Sequence, residues 1–176
     1  MFHPLEHWHE FYLLLGTAAA ALVALQFVAA SLGAGYLSFE KAAASRTYMT
    51  PVIVHFTAVL YACAVGLVPS HNALTFSSVI GIAATIGLFY STAIVVRVLK
   101  DAAVDLDDRI FYGVAPPLGY ATGVAAVILF YAGSSHAAAV LAAALLLLLI
   151  VNIRNAWDLT LFMARKHTEA KHPPAP

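Results

Sequence analysis

Five long apolar runs separated by short polar stretches fill almost the whole chain: residues 11–37, 50–69, 75–99, 110–132 and 136–164. A bilayer core takes about 20 apolar residues per helix. The pattern therefore predicts an all-α integral membrane protein, a five-transmembrane-helix bundle. No intervening stretch is long enough to fold separately. Residues 1–164 are read as one domain, and 165–176, ending His-Pro-Pro-Ala-Pro, as a disordered cytoplasmic tail.

Local signals set the expected ends of each span. Pro51 suits the first turn of span two, because its missing N–H would be unpaired there anyway. Ser70-His71-Asn72-Ala73 is short enough to make spans two and three antiparallel neighbours. Asp101, Asp105, Asp107 and Asp108 sit where span four begins, at the helix end that favours carboxylates. Gly133-Ser134-Ser135 separates spans four and five. The first ten residues carry no Lys or Arg, and the following run is long, so it reads as a retained span and not a cleaved leader.

Composition excludes an ordinary soluble domain: 62% of residues are hydrophobic and 10% charged. The formal net charge is zero, so the distribution of charge matters more than its sum. Lys41 and Arg46 follow span one; Arg97, Lys100 and Arg109 surround the connection between spans three and four; Arg154, Arg165, Lys166 and Lys171 close the chain. By the positive-inside rule this puts the N-terminus outside and the C-terminus in the cytoplasm, across a bacterial inner (plasma) membrane. Trp8 and Tyr12 are then expected at the outer interface, with Tyr36, Tyr48, Tyr112 and Trp157 at the inner one. The expected partners are the lipid bilayer and either further copies of the chain or a larger membrane complex, with no nucleic acid. Small residues recur every fourth position at Ser77, Gly81 and Thr85, at Ala83, Gly87 and Ser91, and at Gly119 and Gly123. Such stripes let helices approach closely in lipid. The single cysteine, Cys63, permits no intrachain disulfide and reads as packing. Gln26 reads as an interhelical hydrogen-bonding residue.

The candidate chemistry is concentrated in span five. After residues 137–151, fifteen positions without a polar side chain, come Asn152, Arg154, Asn155, Trp157 and Asp158 within two turns. Ionisable groups in a membrane helix usually face protein or water and point to function. Arg154 and Asp158 are spaced to pair along one side of the helix. His55, one turn past Pro51, is expected at similar depth, with Tyr112 near the start of span four. Pro117 denies a backbone donor to the carbonyl of Gly113, which can kink span four. His55, Tyr112, Asn152, Arg154, Asn155, Trp157 and Asp158 thus form the candidate binding set. The plainer alternative makes Arg154 a snorkelling residue paired with Asp158, Trp157 a belt residue and His55 a donor to a carbonyl.

At the opposite end lie His3, Glu6, His7, Glu10, His71 and His136, donors suited to a divalent metal such as Zn, Cu or Ni. The chain holds no HExxH and no cysteine pair. Haem ligation through His55 lacks a second histidine well inside a span. The reading that fits best is a non-enzymatic binding or transport component, with its polar pocket at the cytoplasmic end of spans two, four and five. The alternatives are an accessory subunit that docks through the small-residue stripes, and an intramembrane enzyme using His55 and Asp158 as base and orienting acid.

Overall fold

A computed structural model describes residues 5, 7–33, 42–69, 72–100 and 106–171, with backbone alone at 32–33, 42–49, 97–100, 108 and 166–171. Among these residues every regular element is helical: α1 (His9–Gly33), α2 (Ala42–Gly66), α3 (Ala73–Lys100), a single turn at Leu106–Asp108 running into a π-helical turn at Arg109–Val114, α4 (Ala115–Tyr131) and α5 (Ala137–Lys171). Four stretches are long and apolar enough to cross a bilayer: His9–Ser31, Ala73–Val96, Arg109–Tyr131 and Ala137–Arg165. α2 adds a shorter apolar stretch, Thr50–Gly66. This is the build of an integral membrane protein.

Two boundaries differ from expectation. α2 starts at Ala42 and carries Pro51 in its interior, not in its first turn. Its opening Ala-Ala-Ala-Ser is helix-compatible, so the helix is established before the proline removes one donor from it. α5 continues to Lys171, so the tail expected to be disordered from residue 165 is helical that far. Arg165, Lys166, Glu169 and Ala170 are good helix formers, and no breaker occurs before Pro173.

The turns between helices are closed by their own side chains and backbone. Asn72 caps α3: its Oδ1 accepts from the Thr75 N–H at 2.8 Å, and its carbonyl from Phe76. Gly133, at φ +68°, takes the left-handed conformation that ends α4, and the Ser134 N–H reaches back to the Leu129 carbonyl at 2.9 Å.

α5 lies at the centre, packed on α4, α2 and more lightly α1. Its buried face runs through Ala137, Ala138, Leu141, Ala144, Leu145, Leu148, Val151, Asn152 and Asn155. α1 packs mainly on α2, and α3 mainly on α4. Antiparallel registers follow from close approaches at glycine. A methyl on Gly16 would meet Cys63 Cβ at 3.0 Å, and one on Gly119 would meet Leu148 at 2.8 Å. A methyl on Gly87 would overlap the Tyr120 ring, whereas at Gly123 it would stand 3.6 Å from Ala84. Several small residues of α3 and α4 are therefore in close contact within the chain.

Tyr12 also departs from expectation. It is fully buried, with its ring 3.3 Å from the position a Gly66 methyl would take, and it is not an interfacial belt residue. Removing the side chain at Gly66 makes room for a ring between α1 and α2, and burial there wins over the interface.

These approaches predict an asymmetry between two similar substitutions. Gly87→Ala should destabilise the bundle by about 1–3 kcal/mol through overpacking against Tyr120, while Gly123→Ala should be close to neutral. Thermal unfolding in mild detergent, followed by circular dichroism, measures both; equal midpoints would contradict the packing.

Candidate functional site

The site begins with two prolines. Pro116 and Pro117 have no N–H to offer to the carbonyls one turn earlier, and a π-helical turn occupies that stretch. In a π-helical turn the carbonyl of Phe111 would pair with residue 116, which is proline. That carbonyl is supplied from outside the helix: Asn155 Nδ2 donates to it at 3.1 Å. In return the Tyr112 hydroxyl donates to the Asn155 carbonyl at 2.8 Å. The result is a reciprocal lock between α5 and the π turn, in which each partner contributes one side chain and one backbone oxygen.

Asn152, one turn earlier on the same buried face of α5, donates through Nδ2 to the Leu148 carbonyl at 2.7 Å. Both amides are almost wholly buried, at 0% and 2% exposure. Because each nitrogen is committed to a carbonyl, the amide orientation is fixed and both Oδ1 atoms are acceptors without a partner. Arg154 sits at the edge of the same face. Its guanidinium lies 4.0 Å over the Phe111 ring, and Nη1 is 3.1 Å from Asp158 Oδ2. That approach is ionic but lacks the alignment of a hydrogen bond, so Nη1 too is unpartnered as a donor. Among the described residues, five buried side-chain polar atoms have no hydrogen-bond partner, and three of them belong to Asn152, Arg154 and Asn155. The other two, Tyr12 Oη and Ser77 Oγ, lie elsewhere in the bundle. Native proteins seldom leave such atoms unpaired, so their clustering within four residues calls for a reason.

The sequence-derived set is therefore only partly assembled. Tyr112, Asn155 and Arg154 come together at the π turn, with Asp158 paired to Arg154 and Asn152 one turn earlier on α5. Trp157 is 62% exposed and faces away. His55 does not join them: it is buried, and its Nδ1 shares a 2.8 Å hydrogen bond with the Tyr120 hydroxyl. Tyr120 lies two turns beyond Tyr112, roughly 12 Å along the helix axis. The displacement has the same origin as the early start of α2: with Pro51 inside the helix, His55 is deeper than one turn from its end. Tyr90 packs edge-on against the imidazole, with ring centres 6.1 Å apart. A base–acid pairing of His55 with Asp158 is accordingly not formed.

At the opposite end, His7, Glu10 and His136 are exposed. His3, Glu6 and His71 lie outside the described residues. Among the described residues no three His, Cys, Asp or Glu side chains are grouped as a metal ion requires.

Sequence reasoning missed Tyr120, Tyr90 and Phe111. A tyrosine within a span gives no signal that separates a hydrogen-bonding role from packing. The Phe111 contribution is a backbone oxygen, which no side-chain pattern reveals, although the paired prolines do mark the carbonyls that need donors.

The lock predicts coupling. Asn155→Leu should destabilise the fold by about 1–3 kcal/mol by stranding the Phe111 carbonyl, and Tyr112→Phe should cost about 1 kcal/mol. A double-mutant cycle in equilibrium unfolding should give a non-zero interaction energy; strict additivity would mean that the two bonds act independently.

In comparisons with known proteins the chain matches no family model, no curated protein and no solved structure.

Proposed function

We propose that this is a non-enzymatic binding component of a membrane, five spans with the N-terminus outside and the C-terminus in the cytoplasm, which takes a small polar ligand at Asn152 and Asn155 near the cytoplasmic end of α2, α4 and α5. The observation that carries this reading is the pair of buried amide oxygens without partners on Asn152 and Asn155. In hydrocarbon each such atom costs about 1–3 kcal/mol, and a ligand that pairs with them recovers that cost.

The rest of the interior favours binding over conduction through one copy. Beyond the His55–Tyr120 pair the core is filled by Phe56, Val59, Phe76, Phe130, Leu141 and Leu145. Phe76 and Phe130 meet edge to face with centres 5.3 Å apart. A polar solute entering from the Arg154 end meets a packed apolar plug, so onward movement needs a change of shape or a route between copies.

Two measurements test the proposal. In a Cys63→Ala background, a membrane-impermeant maleimide should label Ser135→Cys in intact cells and Arg165→Cys only after permeabilisation; the reverse pattern overturns the orientation. After gentle extraction, mass spectrometry of small molecules released on denaturation should find a species with the wild type that is missing with Asn152→Leu. Identical release from both proteins overturns binding at this site.

A further inference from the structure

The same turn of α5 also constrains what the ligand is, and this inference rests on the binding reading above. We infer that the site selects a small neutral molecule carrying two hydrogen-bond donors on one group, of the primary-amide type.

The polarity of the site comes first. Asn152 Nδ2 and Asn155 Nδ2 are held by the carbonyls of Leu148 and Phe111 at 2.7 and 3.1 Å, and the Tyr112 hydroxyl is spent on the Asn155 carbonyl. What the buried face has left to offer is two amide oxygens, Asn152 Oδ1 and Asn155 Oδ1. They belong to residues three apart on one helix face, where side chains are neighbours about 5–6 Å apart at Cβ. An –NH2 group, with two N–H bonds spread at an angle, can donate to both oxygens. A molecule with acceptors alone gains nothing there.

Charge decides between neutral and ionic ligands. An anion would need a net positive charge, and the Arg154 guanidinium is already balanced by the Asp158 carboxylate, 3.1 Å from its Nη1. A divalent cation takes six or more oxygens and usually carboxylates, whereas the buried acceptors here are two neutral amides. A monovalent cation meets the same neutral pair with no net negative charge beside it, because Arg154 balances Asp158. Stripping a full charge of water costs far more than two neutral oxygens return. A neutral donor carries no such penalty.

The test compares acetamide with acetone, which has nearly the same size and the same carbonyl but no N–H. Wild-type protein in mild detergent should show a saturable rise in its unfolding midpoint with acetamide and none with acetone. Asn152→Leu should raise the half-saturating acetamide concentration about tenfold, the equivalent of one hydrogen bond. Equal responses to acetamide and acetone would overturn the inference as a solvent effect. A saturable response to sodium or methylammonium chloride, absent with choline chloride and lost in Asn152→Leu, would also overturn it while leaving the binding reading intact. No saturable response to any of these, together with identical small-molecule release from wild type and Asn152→Leu, would overturn both. The acetamide–acetone contrast is read on the wild type alone, so it holds even if the variant does not fold.

Discussion

A backbone carbonyl packed between helices must find a donor, and the architecture near residue 111 is an answer to that demand. An oxygen that its own helix has abandoned must be paired from elsewhere, and here the donor comes from the neighbouring helix. Pro116 and Pro117 create the shortage, and Asn155 on the neighbouring helix relieves it at Phe111. The side chain of Tyr112 completes the exchange. Two helices are thereby fixed in register by polar groups, while the small residues along α3 and α4 fix others by shape. The two devices are complementary. Close packing sets how near the helices come, and directional bonds set where along their length they meet.

The bundle divides along its length. Toward the Trp8 and Tyr131 end the interior is aromatic and aliphatic, with Phe76, Phe130 and Tyr12 buried. Toward the Arg154 end it becomes polar, with His55, Asn152 and Asn155 buried among the same helices. α2 and α4 pack chiefly on their neighbours and less on each other, and the His55–Tyr120 bond reaches between them. A buried imidazole bonded to a phenol holds these helices by orientation more than by contact area.

The helical, membrane-type build was legible in the chain because apolar runs of bilayer length admit few other structures. The Arg154–Asp158 pair was legible too, since four-residue spacing on a helix determines adjacency without knowledge of the partner helices. The position of His55 was not. Its depth depends on where α2 begins, and Pro51 suggested a start that the preceding alanines override. Trp157 shows the complementary difficulty: neighbours in sequence share a turn but not a face, so it points outward while Asn155 and Asp158 do not. Tyr12 was misplaced because the glycine that admits its ring, Gly66, lies far off in the chain. Long-range register, in each case, carried the missing information.

The length of α5 has a mechanical consequence. Thirty-five residues make a rod of roughly 52 Å, against a hydrocarbon layer of about 30 Å. From Asn155 to Lys171 the rod extends roughly 24 Å. A tilt of about 10° about Asn155 would swing its far tip by about 4 Å, a displacement larger than a hydrogen bond is long. A small tilt of α5 about Asn155 is therefore magnified at Lys171, beyond the apolar stretch that ends at Arg165.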